Sequence, residues 1–370
     1  MEQRRASRMP WIIVILIVAS ICLLSYLGAT IYHKVADNNA FGSYVAIAGA
    51  QSMEVQLAGD GFVYYDGSSL TYMDSRGKVK WTYLVGGGID FAASSNGVAA
   101  WNGRSLTLID IENGTTTYSA DQGAEVTSAR VGSRYAAVLM EEKGSGRISV
   151  MEKGGREVYS AELDQLTAVD YGFYSGGAQL WVMALDTTGS VPTCGITTYS
   201  PRSMSIVGQI SDMEQLMYSV NFQSDNVNCT GVTYNKTYDY NGREIESRRR
   251  LVYGWYLLDS ASGEAPLMAF VPTGQTDGPG DVISDVRMIK GNIDRIVHMP
   301  FPCADIAVHG DKVYGFASDG HVMVASPAAQ KVNAYQMPFY IDRVYGMTDS
   351  GVAVISSGNT LYLLSVGAEE

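Results

Sequence analysis

The feature that most constrains this chain is a short grammar that first appears between Gly59 and Ser94, GDGFVYYDGSSLTYMDSRGKVKWTYLVGGGIDFAAS. Three runs rich in Tyr, Val, Thr, Leu and Trp are broken by Asp66-Gly67 and Arg76-Gly77, and a Gly-rich link leads into a fourth run of small residues. β-Branched and aromatic residues bounded by such turns read as strands joined in hairpins. Because the same grammar returns down the chain, the stretch reads as one unit of a repeat architecture rather than a free-standing sheet.

Composition points the same way. Charged residues make up only 17% of the chain, while 40 glycines and 24 tyrosines favour many short strands and tight turns over long helices. The expected fold is an all-β propeller. Aligning the third strand of each unit on a hydrophobic-x-acid-turn-Gly core puts markers at Asp74, Asp110, Glu152, Ser200, Asp259, Ser326 and Ser365, a count of seven blades. Their spacing starts near the 40 residues of a four-stranded blade and widens to 67. Insertions are therefore expected in the middle, and residues 271–302, readable as an insertion or as an irregular blade, leave six and eight blades open. The last unit supplies about three strands, and residues 43–49 (SYVAIAG) are expected to add the fourth, closing the ring without a free edge.

Ahead of the repeats lies a different kind of segment. Residues 11–32, WIIVILIVASICLLSYLGATIY, carry no formal charge. As a helix they would reach roughly 33 Å, enough for a hydrocarbon core. Arg4, Arg5 and Arg8 precede this segment and only Lys34 closely follows it. The positive-inside rule then gives a cytoplasmic tail (1–10), a transmembrane helix (11–32), a linker (33–42) and an extracytoplasmic propeller (43–370) at the cell membrane. The apolar run is too long for a cleavable signal peptide and lacks its small-residue cleavage site. The formal charge of the whole chain is −12 despite that basic tail, so the body repels phosphate backbones, and nucleic-acid binding is not expected.

The first unit carries a resemblance. Tyr72, Asp74, Gly77, Lys78 and Trp81 form a Tyr-x-Asp turn followed by Gly-Lys-x-x-Trp. This resembles the repeat of quinoprotein-like propellers, which include pyrroloquinoline-quinone dehydrogenases and a non-catalytic lipoprotein of outer-membrane assembly. The second, third and fifth units keep the acid and the Gly but lose the Trp, so the resemblance implies the fold and little about activity. A basic tail, one span and an acidic propeller also resemble uncharacterised single-span envelope proteins of Gram-positive bacteria.

Catalytic patterns are missing from the sequence. There is no His-Glu-x-x-His, Gly-x-Ser-x-Gly, phosphate-binding Gly-x-x-x-x-Gly-Lys or EF-hand loop, and no adjacent Cys pair of the kind common in quinone dehydrogenases. His298, His309 and His321 lack metal-ligand spacing. For Cys194, Cys229 and Cys303 two readings stand: a disulfide between Cys194 and Cys229 across neighbouring blades, or burial as small apolar residues. No enzyme activity, cofactor or metal is expected.

The most informative departure from the repeat is a long hairpin around Asn241-Gly242, the strongest two-residue hairpin signal. A register closed on it pairs Tyr240 with Arg243, Tyr238 with Ile245, Lys236 with Ser247 and Tyr234 with Arg249, all on one face. Tyr234, Lys236, Tyr238, Tyr240, Arg243 and Arg249 are thereby the candidate partner-binding residues, and the alternative places the tyrosines against the propeller's own flank. Residues 273–281 are a second candidate contact region. The expected function is a non-enzymatic membrane-anchored scaffold for an envelope protein or a glycan. The alternative is an enzyme of the central funnel, a polysaccharide lyase or hydrolase or a quinone-dependent oxidoreductase.

Overall fold

A computed structural model describes residues 43–48, 53–142, 144–203, 205–275, 282–329 and 331–365. They form eight four-stranded antiparallel sheets. In chain order the blades span 54–84, 90–121, 125–162, 166–212, 217–251, 255–303, 305–336 and 343–365, the last completed by Tyr44–Ala48. We label the strands of each blade a to d from the axis outward. The expected closure is present, with Tyr44–Ala48 pairing antiparallel with Thr360–Ser365, Tyr44 opposite Leu364 and Ala48 opposite Thr360. The expected transmembrane helix lies outside the described residues, and among those described no helix is long and apolar enough to cross a membrane.

The blade count is eight, correcting the seven expected. Two c strands carry no marker in that count: Tyr234–Asp239 in blade 5, read as one arm of an inserted hairpin, and Ile283–Lys290 in blade 6. The marker at Asp259 belongs instead to Trp255–Ser260, an a strand at the axis. Blade 5 closes its c–d turn with Asp239 and Gly242, an acid and a glycine as in blades 1 to 3, but inside what read as an inserted hairpin. The c strand of blade 6 ends at Lys290 and turns through Gly291-Asn292 with no acid to mark it.

Local chemistry explains why the marker works where it does. The Asp74 carboxylate accepts the backbone N–H groups of Arg76 at 3.0 Å and Lys78 at 2.9 Å, and Asp110 does the same for Glu112 and Asn113 at 3.0 and 3.3 Å. Each acid thus closes a c–d turn on itself. The b strands Gly97–Asn102 and Tyr135–Glu142 are almost continuously buried because a neighbouring blade covers each of their faces, whereas the d strand Val79–Leu84 buries only Trp81.

The seams between blades hold the core. Trp81 of blade 1 packs with Phe91, Val98 and Ile109 of blade 2, and equivalent clusters join the other neighbours around the ring. The last seam joins blade 8 to blade 1 through Val354, Leu361 and Leu363 against Phe62 and Met73.

Antiparallel order fixes two faces. The d-to-a crossovers and b–c turns open on one, here termed the crossover face. The a–b and c–d turns open on the other, the turn face.

Candidate functional site

The candidate hairpin adopts a different register from the one expected. A two-residue turn on Asn241-Gly242 would need positive φ at both, and only Gly242, at φ +79°, has it. The loop instead takes three residues: Gly242 N–H donates to the Asp239 carbonyl at 3.0 Å, while the Asp239 carboxylate accepts Asn241 and Arg243 N–H at 2.9 Å each. Tyr238 now faces Glu244 rather than Ile245. A single 3-10 turn, Glu246–Arg248, interrupts the return strand, so Tyr234 pairs with Leu251 rather than Arg249.

That register takes two of the six candidate residues out of reach. Lys236 and Tyr238 are 2% and 4% exposed, turned into the seam with blade 4. Lys236 Nζ lies 2.9 Å from Asp212 and 2.5 Å from Glu214, and the Tyr238 hydroxyl donates to Asp212 Oδ2 at 3.2 Å. Burial pushes the Asp212 carboxyl up, but Lys236 and the Glu214 N–H outweigh it and hold the group below the usual range. For Lys236, burial pulls down while hydrogen bonds to Glu214 and Asp212 prevail and raise it. The half-buried Tyr234 and Arg249 sit at the edge of this network, the guanidinium 5.2 Å from the ring centroid and fork-paired to Glu244 at 2.5 and 2.6 Å. Tyr240 and Arg243 are exposed at the tip on the turn face, with Tyr240 donating to the Gln223 carbonyl at 2.6 Å. The second candidate region, 273–281, belongs to the b–c turn of blade 6 on the opposite face, and its residues 276–281 lie outside those described.

On the crossover face the structure assembles a surface that single-residue reading misses. The crossover from blade 4 to blade 5 is pinned by buried Gln215, which donates to Asp212 at 3.1 Å and accepts N–H groups from Thr233 at 3.2 Å and Tyr234 at 2.6 Å. Around it Met213 and Leu216 are turned outward at 69% and 40% exposure. The b–c turn of blade 5 adds exposed Val232, whose N–H donates to the Leu216 carbonyl at 3.0 Å. Tyr253, 76% exposed, follows on the next crossover, where Val252 N–H donates to the Thr233 carbonyl at 2.8 Å. In sequence these are isolated apolar residues in turns; only their backbone links bring them together.

The turn face is hollowed. A cavity of about 750 Å³ runs in from this face along the inner strands of blades 6 to 8, lined by Asp259, Asp305 and His309 from blades 6 and 7, with Tyr345 from blade 8. Burial raises both carboxyls, Asp305 to about 6 with the Asp259 charge adding to the effect. Asp259 accepts Val308 N–H at 2.7 Å, tying the two blades together. A second cleft, of about 400 Å³, lies between blades 5 and 6. Among the described residues no three His, Cys, Asp or Glu side chains converge as metal ligands. His298 and His321 are paired singly with Asp285 and Asp319 at 3.0 and 2.9 Å. Cys194, Cys229 and Cys303 are free and buried, so the disulfide reading gives way to the apolar one.

No protein-family model matches this chain, and no curated protein matches it in sequence. Solved structures do resemble it. BamB from Moraxella catarrhalis superposes with a TM-score of 0.57 at 11% identity, over 89% of this chain and 99% of that one. The WD40 domain of SCAP from fission yeast gives 0.62 at 9% identity, over 89% and 95%. Saccharomyces cerevisiae Sqt1 gives 0.57 at 11% identity, over 89% and 99%. At such identities the likeness is one of fold, the β-propeller.

Proposed function

We propose that this chain is a non-enzymatic propeller, anchored in the cell membrane by its N-terminal segment with the ring outside the cytoplasm, that holds an envelope protein on the crossover face of blades 4 to 6. The observation carrying this reading is the group Met213, Leu216, Val232 and Tyr253, exposed together on loops that Gln215 and two backbone hydrogen bonds hold fixed. Exposed apolar side chains on a rigid support mark contact surfaces, because burying them is favourable and little loop entropy is lost on binding. The partner chemistry that fits is an apolar ridge flanked by Lys or Arg, complementary to a chain of formal charge −12. The first described strand begins at Tyr44 on the turn-face edge of blade 8, so the chain enters the ring on the face opposite this patch.

The test is photocrosslinking on intact cells from a reactive side chain placed at Tyr253. The reading expects one protein captured, lost on Met213→Glu and retained on Arg243→Ala at the turn-face tip. Capture that survives Met213→Glu, or none at all, overturns it.

One observation favours the funnel enzyme as a second reading. A buried carboxyl raised to about 6, with a second carboxylate lining the same cavity, has the protonation a glycosidase acid needs. Turnover of a polysaccharide abolished by Asp305→Asn would establish it.

A further inference from the structure

Blade 5 meets its two neighbours unequally. Toward blade 4 it presents Met217, Val227, Cys229 and Tyr238 to an apolar cluster. Toward blade 6 it presents Asn226, Asn228, Thr230, Asn235 and Thr237, each less than 9% exposed, against Met268, Phe270 and Ile289. Alternation along two paired strands puts these five polar side chains on one face, with Asn228 opposite Thr237 and Thr230 opposite Asn235.

Most of this polar face satisfies itself. Asn228 and Asn235 exchange amide hydrogen bonds at 2.9 and 2.8 Å, and each also donates to a threonine hydroxyl, Thr237 at 3.3 Å and Thr230 at 2.8 Å. Two acceptors on this face have no partner, Asn221 Oδ1, on the residue opposite Asn228 in the a strand, and Asn226 Oδ1. Of the two residues, Asn226 is the one that lines the cleft of about 400 Å³ opening from this seam onto the turn face, and it is 6% exposed. A buried acceptor left unpaired costs about 1–3 kcal/mol. Asn226 differs from the other orphan of blade 5 in facing a cleft with room for a donor from outside the chain.

We infer that the seam between blades 5 and 6 is a saccharide subsite, taking one neutral hydroxyl-rich sugar residue whose hydroxyl donates to Asn226 Oδ1. The cleft's charges cancel, with Arg248 and Arg250 against Asp225 and Glu264, so no net field selects an ion. Its interior offers amides and hydroxyls on the blade 5 side and Met268 and Ile289 on the other, matching the hydroxyl edge and C–H face of a sugar ring. Its volume lies at the small end of ligand sites, which run from about 300 to 1,000 Å³. The Asn χ2 torsion is broad, so the amide turns toward a ligand at little cost. This site is on the opposite face from the proposed protein contact, so either can fail without the other.

The experiment is saturation-transfer NMR on the full chain in detergent, with glucose, galactose, N-acetylglucosamine and a β-linked disaccharide of each as probes. Transfer to at least one is expected. Asn226→Leu should weaken that binding about tenfold or more while leaving the melting temperature equal or higher, since it removes the orphan acceptor. Asn226→Ser, smaller and still polar, serves if the leucine variant fails to fold, with the same loss expected. No transfer from any probe, or transfer unchanged in a folded Asn226 variant, overturns the proposal.

Discussion

The Trp81 indole nitrogen donates to the Ile111 carbonyl at 2.7 Å, and its ring occupies the space that a Cβ on Gly114 would need, 2.6 Å from Cγ. Blade 1 is thus latched onto the c–d turn of blade 2. Tyr118 of blade 2 fills the same space at Gly155 of blade 3, and Val45 of the closing strand approaches Gly77 of blade 1, where a Cβ would lie 3.3 Å away. The repeated glycine therefore both makes the turn and receives the outer strand of the preceding blade.

Gly114→Ala meets two penalties, a positive φ of +70° and the ring of Trp81. It should cost about 2–4 kcal/mol, the sum of a strained backbone and an overpacked contact. Thermal unfolding followed by circular dichroism checks this; a loss below 1 kcal/mol would mean that the latch yields.

Lys236→Met strands Asp212 in the seam between blades 4 and 5 and should cost about 3–5 kcal/mol, with Asp212→Asn on top restoring part of it. The pH dependence follows from the directions. Asp212 is depressed in the folded state, so its contribution is present above the unfolded pKa and is lost as acid passes through the folded value. Lys236 is raised, so its share is present below its unfolded pKa and is lost as base passes through the folded one. Urea unfolding across pH should show the wild-type advantage over Lys236→Met shrinking at both extremes.

Asp305 behaves in the opposite sense. Its pKa rises from 3.8 to about 6, so its stabilising contribution is present below the unfolded value and disappears as pH climbs through 6, a change of roughly 3 kcal/mol. Asp305→Asn should therefore be the more stable protein at neutral pH and gain nothing in acid. Equal stabilities at neutral pH would mean that the carboxyl is better solvated than its burial implies.

The three described cysteines should resist modification. Burial pushes the Cys303 thiol up to about 12 and raises Cys194 and Cys229 as well. Alkylation of the native protein in mildly basic buffer should leave all three unmodified, and urea should expose them together, as read by peptide mass mapping.

What the sequence alone determined is the part written in local chemistry. An acid, a turn and a glycine within five residues close a hairpin whatever surrounds it, as at Asp74 and Asp110, so strand content, the repeat and the closing strand 44–48 were legible. The tertiary structure decided what depends on neighbours. Blade 5 went uncounted because a polar face, Asn226, Asn228, Asn235 and Thr237, stands where a core strand shows apolar residues, and only packing against Met268 and Phe270 makes it interior. The same dependence sent Lys236 and Tyr238 into the seam with blade 4 and drew Met213, Val232 and Tyr253 onto one surface. A turn is fixed by atoms a few bonds apart, but burial is fixed by whichever blade lies alongside, and in a ring that blade can be tens of residues away in sequence.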